Sequence, residues 1–225
     1  MLDPLRLLRD LVWPASCAAC GAPGQALCAV CAIDIAGTGH LRAHSPTPPP
    51  PGFPPTLTWG SYEGALRRLV VAHKDEDRSD ACSVLAELLA DVVEAAIESL
   101  ATPVLVPIPS SPASRRARGR EPLLDLTRAM HLSATVPLLP VLRVVKRVRD
   151  QAGLGQDERR DNLDGSMAVV PGSESLLSGH DVLLLDDVVT TGFTLAEAAR
   201  ALRSGAPEPV RSVRAAVICA TQRRM

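Results

Sequence analysis

Two adjacent carboxylates, Asp186 and Asp187, follow an apolar run in the sequence VLLLDDVVTTGFT at residues 182–194. Side-chain packing gives no reason for a charged pair there, because an unpaired carboxylate is costly to remove from water. Carboxylate oxygens accept hydrogen bonds, and two of them side by side suit the neighbouring hydroxyls of a sugar. The pair is therefore a candidate site for sugar hydroxyls.

The turn after the acids has the features of a phosphate site. It supplies threonine hydroxyls, and Gly192 lets the backbone approach a ligand closely. A predicted helix begins in this turn, and a helix N-terminus presents unpaired N–H groups and a positive dipole end. Carboxylates for sugar hydroxyls beside N–H groups for a phosphate are what a ribose 5-phosphate site requires. Its residues would be Asp186, Asp187, Val188, Val189, Thr190, Thr191, Gly192, Phe193 and Thr194.

This stretch has two other interpretations. Thr190 and Thr191 could be ordinary helix caps, and the two acids a solvated strand end. A generic cap, however, does not require an apolar strand, an acid pair and a TTGxT turn in one register. A Walker-type loop does not fit, since the chain has no GxxxxGK[ST] here and the acids precede the glycine.

Four of the six cysteines form two CxxC pairs, Cys17 with Cys20 and Cys28 with Cys31. Gly21 lies between the pairs and lets the chain turn. Four thiolates suit a tetrahedral Zn²⁺ with no open position, so the pattern predicts a structural zinc site. The alternatives are disulfides, which the absence of a secretory signal disfavours, and a redox pair, which needs a single CxxC.

The rest of the sequence predicts an α/β fold. Only 2% of the 225 residues are aromatic, so the core must be filled by aliphatic side chains, as helix-covered parallel sheets often are. From Pro103 onward, strands alternate with helices, which predicts a doubly wound, mainly parallel sheet with ligands at the carboxyl ends of its strands. The formal net charge of −1 gives no argument for a polyanionic partner.

The first twelve residues, MLDPLRLLRDLV, are predicted to form a short amphipathic helix that packs on the body. Charged residues interrupt their apolar run, so no signal peptide is expected. No stretch has the length of a membrane span. The expected location is the cytoplasm, without a membrane span.

The stretch VLLLDDVVTTGFT resembles the 5-phosphoribosyl-1-pyrophosphate (PRPP) loop of type I phosphoribosyltransferases. The resemblance implies that the two acids hold the ribose hydroxyls and that the TTGFT turn holds the 5-phosphate. A position usually discussed as the catalytic acid of that family is Thr190 here.

Displacement of pyrophosphate from C1 of the sugar builds negative charge on the leaving group, which Mg²⁺ and basic groups must meet. Two segments offer candidates for this pyrophosphate side. They are Ser110, Ser111, Arg115, Arg116 and Arg118 after the predicted strand PVLVPIP, and Lys146, Arg147, Arg149, Gln151, Arg159 and Arg160 in a later segment whose length is typical of a cover over a ligand. The alternative for each cluster is a solvated basic face.

A four-cysteine knuckle joined to such a domain is similar to the ComF/GntX family. Five segments match in order: the two CxxC pairs, a helix ending in His73-Lys74, VPIPSSPASRRARGR, DQAGLGQDERRDNL and the PRPP loop. The sequence departs from many relatives at residues 119–122, where they carry RGFNQ. The predicted organisation is an N-terminal helix and zinc module at residues 1–44, a proline-rich linker at 45–56 and a phosphoribosyltransferase-like domain at 57–225.

Two functional hypotheses follow. The first is a phosphoribosyltransferase that uses PRPP and Mg²⁺ with an unidentified acceptor. The second is a non-catalytic ComF-type accessory protein of DNA uptake (competence), which binds a phosphoribosyl ligand, single-stranded DNA or a protein partner.

Overall fold

The computed structural model describes residues 16–76, 78–146, 165–206 and 208–222. Within these ranges the strands are β1 (Arg42–His44), β2 (Thr56–Ser61), β3 (Pro103–Pro107), β4 (Leu142–Val144), β5 (Met167–Val169), β6 (Asp181–Val189) and β7 (Ser212–Ala220). The α-helices are α1 (Ala29–Thr38), α2 (Gly64–Asp75), α3 (Cys82–Ile97), α4 (Pro112–Arg118), α5 (Pro122–Ala129) and α6 (Phe193–Gly205). Short 3-10 turns cover Ser79–Ala81 and Glu174–Leu177. The helix predicted within residues 1–12 lies outside the described residues.

The central sheet has the strand order β1-β2-β7-β6-β3. Strands β2, β7, β6 and β3 are parallel, and β1 adds to the edge of β2 in the antiparallel direction. Strand β6 pairs with β7 over nearly its whole length, from Asp181 opposite Ser212 to Val189 opposite Ala220. The predicted α/β fold with a mainly parallel sheet is confirmed.

Helices cover both faces of this sheet, as right-handed crossovers between parallel strands require. Helix α3 packs against β2 and β7 and contacts α5. Helix α6 packs against β6 and against the small antiparallel sheet of β4 and β5. This is the doubly wound arrangement that the alternation of strands and helices predicts.

The strand predicted in VPLLPVL is much shorter in the structure. Leu138 forms a single parallel bridge with Leu105 of β3, held by hydrogen bonds from the Leu105 N–H to the Pro137 carbonyl and from the Leu139 N–H to the Leu105 carbonyl, both 2.8 Å. Pro137 and Pro140 have no N–H to donate, so a longer ladder cannot form here. The regular strand β4 begins only at Leu142 and pairs with β5.

The cysteine-rich segment is attached to the rest of the fold through α1 and β1. Helix α1 packs on α2, and the Asp34 side chain accepts a hydrogen bond of 2.8 Å from the Ala65 N–H in the first turn of α2. Asp34 thereby caps a helix from a different part of the chain. Because β1 and β2 are neighbours, the proline-rich residues 45–56 connect two strands of one sheet. The predicted division at residues 44 and 45 stays a proposal.

We expect Asp34→Ala to lower the free energy of unfolding by about 1 kcal/mol, the typical value of a side-chain cap at a helix N-terminus. Chemical denaturation measures the change. Asp34→Asn is the matched control, because its amide oxygen still accepts a hydrogen bond and most of the stability should remain. Equal stability of the alanine variant and the wild type would contradict the capping role.

Candidate functional site

A cavity of about 450 Å³ opens where β3 and β6 end at their carboxyl ends. Tertiary structure brings to it side chains from four separate parts of the sequence: residues 62–75 around α2, residues 108–118 after β3, the start of α5 and residues 186–194 from β6 to the start of α6. The predicted residues that line it are Ser110, Ser111, Arg118, Asp186, Asp187, Val188, Thr190 and Thr194.

The acid pair lies on the wall of this cavity. Asp187 is 6% exposed, and Asp186 is half-buried and accepts a hydrogen bond of 2.9 Å from the Asp187 N–H. The ammonium of Lys74, at the end of α2, lies 2.7 Å from Oδ2 and 3.0 Å from Oδ1 of Asp187. Lys74 was not among the residues predicted for the site, although His73-Lys74 was part of the family resemblance.

The charges of these three groups are strongly linked. Burial, together with the neighbouring charge of Asp187, raises the pKa of Asp186 to about 8. Burial alone would lower the pKa of Lys74, but the carboxylates of Asp187 and Asp186 outweigh it and raise that pKa. Near neutral pH, Lys74 is therefore charged, and Asp186 carries a proton in much of the population.

The turn after the acids leads directly into α6. Gly192 is the residue before the helix, its φ angle is 79°, and it has no side chain to cap the first N–H groups. A Cβ atom at this position would lie 2.7 Å from the Phe53 ring and 2.9 Å from Pro46 Cγ. Glycine is therefore required both by the backbone conformation and by the proline-rich segment that packs against the turn.

The predicted pyrophosphate-side residues separate in the structure. Ser110 and Ser111 line the cavity. Ser111 is also the N-cap of α4 and accepts a hydrogen bond of 3.1 Å from the Ser114 N–H. Arg115 pairs with Glu121 at 2.8 Å and lines a neighbouring cavity of about 290 Å³.

The remaining basic candidates differ in position as well. Arg118 lines the main cavity and pairs with Asp75 at 2.8 Å. Arg116 on α4 and Lys146 after β4 are exposed and do not line it. The candidates Arg147, Arg149, Gln151, Arg159 and Arg160 lie outside the described residues.

The four cysteines of the two CxxC pairs converge. Their sulfur atoms all lie within 4.8 Å of one another, and the Sγ atoms of Cys20 and Cys28 are 3.7 Å apart. A tetrahedral Zn²⁺ with Zn–S bonds of about 2.3 Å would hold its sulfurs roughly 3.8 Å apart, so the spacing fits. The cluster could therefore bind a zinc ion.

The thiols of this cluster differ in acidity. Burial alone would raise the pKa of Cys17, but hydrogen bonds from the backbone N–H groups of Cys28, Cys20 and Ala19 outweigh it and lower the pKa to about 6. Burial and the neighbouring sulfurs raise the pKa of Cys31 to about 12. One thiolate is thus already favoured near neutral pH, as the first ligand of a metal requires.

Comparison with known proteins agrees with the geometry of the sheet and the turn. Residues 125–224 match the family model of the phosphoribosyl transferase domain. The matched range includes the acid pair and the TTGFT turn. The match supports the predicted phosphoribosyltransferase-like domain over these residues, whereas its predicted bounds of 57–225 and the narrower ComF/GntX assignment stay predictions.

Among solved structures, the chain is similar to one described as the structure of the allosteric regulatory enzyme of purine biosynthesis. The sequence identity is 18%, the TM-score is 0.36, and the similarity covers 61% of this chain and 26% of that one. The matched part thus spans about a quarter of that enzyme's length. No curated protein matches the chain significantly. Among the described helices, none is long and apolar enough to cross a membrane.

We expect Asp186→Asn to stabilise the protein by an amount that grows as the pH rises from 4 to 8. In the unfolded chain Asp186 ionises near its ordinary pKa of 3.8, whereas in the folded protein it ionises near 8, so ionisation favours the unfolded chain throughout this window. Because the side chain is half-buried, we expect a gain of about 1–2 kcal/mol at pH 8 and little at pH 4.

Denaturant unfolding at several pH values measures this gain. Glu98→Gln, which removes an exposed carboxylate from the region after α3, is the control and should show little pH dependence. A gain for Asp186→Asn that is equal at pH 4 and pH 8 would contradict the raised pKa.

Proposed function

We propose that this protein binds PRPP or another ribose 5-phosphate ligand in the cavity at the ends of β3 and β6. The observation that carries the proposal is that the acid pair, Thr190 and Thr194 on either side of the glycine turn, and the loop of Ser110 and Ser111 all line one cavity. The match of residues 125–224 to a phosphoribosyl transferase domain supports the same ligand class.

Each part of the cavity has a task in this proposal. The carboxyl groups of Asp186 and Asp187 accept hydrogen bonds from the ribose hydroxyls. The first N–H groups of α6 and the hydroxyls of Thr190 and Thr194 hold the 5-phosphate, since a helix N-terminus favours an anion. Ser110 and Ser111 face the side on which a group at C1 of the sugar would lie.

The transferase reaction breaks the bond between C1 and the pyrophosphate oxygen and forms a bond from C1 to an acceptor. When bound, Mg²⁺ neutralises charge on the departing pyrophosphate. Hard oxygen ligands suit this ion, but both oxygens of Asp187 already face the Lys74 ammonium. The phosphate oxygens of the ligand are therefore its natural partners, and the residues of the chain orient the sugar.

A binding test decides whether the ligand site exists. Calorimetric titration with ribose 5-phosphate and with Mg²⁺–PRPP should show saturable binding to the wild type. The Asp186→Asn, Asp187→Asn double variant should lose at least about 30-fold in affinity, because the negative charge of Asp187 is removed and one acceptor oxygen of each residue is replaced by an NH₂ donor. Glu98→Gln, which lies away from the cavity, should bind like the wild type.

The absence of binding to the wild type would refute the ligand assignment. Turnover then separates the two functional classes: a transferase releases pyrophosphate from PRPP when an acceptor base is present, whereas a binding protein does not. This second measurement is necessary because of Thr190. Its side chain is exposed on the cavity, at a position where type I phosphoribosyltransferases usually carry an acid.

The four-cysteine cluster is proposed to hold one structural Zn²⁺. Cys17→Ser should remove the zinc, measured by elemental analysis, and lower the stability of the protein by several kcal/mol, since binding free energy of a structural zinc is also folding free energy. Cys82→Ser, in a half-buried thiol at the start of α3, is the control and should keep its zinc. The proposal would be contradicted if the purified wild type contained no zinc and a chelator did not change its stability.

A further inference from the structure

Lys74 differs from the other cation that lines the main cavity. Among the described lining residues the cations are Lys74 and Arg118. Arg118 pairs with Asp75 at the cavity rim, at 2.8 Å, whereas Lys74 reaches both oxygens of Asp187, at 2.7 and 3.0 Å. The Asp187 side chain is 8% exposed and that of Lys74 is 37% exposed, so the pair is buried on the acid side and open to the cavity on the ammonium side.

The position of Lys74 is fixed by its two neighbours in the chain. The buried ring of His73 contacts the Pro122 carbonyl at 3.2 Å through Nε2, and the His73 carbonyl accepts a hydrogen bond from Arg120. On the other side, Asp75 pairs with Arg118. The last turn of α2 is thus attached to residues 118–122 on both sides of Lys74, and this holds the backbone from which the ammonium reaches Asp187.

A positive charge nearby favours the ionised form of carboxyl groups that are partly buried at a strand end. A divalent cation is one solution, since carboxylate oxygens are its preferred ligands. Here an ammonium of the chain itself occupies the space beside Asp187. Ribose hydroxyls are neutral donors, so carboxyl groups that the protein has already compensated need no metal in order to accept their hydrogen bonds.

We propose that Lys74 is the built-in counter-cation of the acid pair, so that the site recognises the ribose hydroxyls of a ribose 5-phosphate without a divalent cation on Asp186 and Asp187. This inference rests on the proposed function and deepens it. Any need for Mg²⁺ then comes from a pyrophosphate group of the ligand. Lys74 is a positioning residue, since it acts through Asp187.

The first test uses the wild-type protein alone. Calorimetry with ribose 5-phosphate should give affinities that agree within about twofold in Mg²⁺-free buffer and in excess Mg²⁺, whereas PRPP should bind about tenfold or more tightly with Mg²⁺ than without it. Chelators are left out of the buffer so that the cysteine cluster keeps its metal. Binding of ribose 5-phosphate that requires Mg²⁺ would overturn the inference. This comparison uses no variant, so it tests the metal independence of the site even if a substitution at Lys74 prevents folding.

The second test changes the counter-cation. Lys74→Met should weaken ribose 5-phosphate binding in buffer free of Mg²⁺ and Ca²⁺ by about tenfold or more, and either cation should restore part of it. The same cations should raise the midpoint of thermal unfolding of the variant and leave that of the wild type unchanged. A purely structural role for Lys74 would not create this metal dependence.

Two variants serve as controls. Arg68→Met removes one positive charge from the exposed face of the same helix and should bind ribose 5-phosphate as the wild type does, with no response to metal. Lys74→Arg keeps the charge and should retain metal-independent binding. If Lys74→Met binds ribose 5-phosphate with wild-type affinity in buffer free of divalent cations, the role of Lys74 is overturned while the proposed function stands. A wild type that does not bind ribose 5-phosphate at all overturns the proposed function as well.

Discussion

Strand β6 lies between β3 and β7, so its backbone is hydrogen-bonded on both sides, and the side chains of residues 182–185 are fully buried. Such a strand must be apolar along its length, and polar groups can stand only where it ends. The candidate site follows from this constraint. Two carboxylates thus lie side by side on the wall of the cavity; Lys74 compensates their charge, and the residues after them lead into α6.

The two ends of β6 show how differently a carboxylate can be accommodated. At the start, Asp181 accepts hydrogen bonds from the Ser212 hydroxyl and the N–H groups of Ala101 and Thr102. Burial alone would raise its pKa, but these bonds outweigh it and lower the pKa. At the other end, Asp186 faces a cavity, and its pKa is raised instead. The first carboxylate is fully used by the protein, whereas the second remains available to a ligand.

The proline-rich segment supports the turn at the start of α6. Phe53 and Pro46 pack against Gly192, and the Gly52 carbonyl accepts a hydrogen bond of 3.3 Å from Arg203 of α6. Its proline content suits this task, because a chain with fixed φ angles loses little entropy when it is held against a surface. Composition alone predicts a linker between modules; in the fold, the same residues connect β1 to β2 and pack against the turn before α6.

Local patterns in the sequence determined the parts of this protein whose residues are close together along the chain. The buried strand, acid pair and glycine turn of residues 182–194 lie in one register, and the two CxxC pairs fit a zinc cluster, because chain connectivity alone brings such residues together. Only the tertiary structure decided which distant residues meet them. Lys74 reaches Asp187 across 113 positions because α2 ends beside β6, and the end of α2 is attached to the segment after β3. At α4, Ser111 lines the cavity whereas Arg116 is exposed away from it. Spacing along the chain could not separate these two residues, because both lie in one polar segment. Packing of helices against the sheet selects these contacts, and it depends on the whole fold.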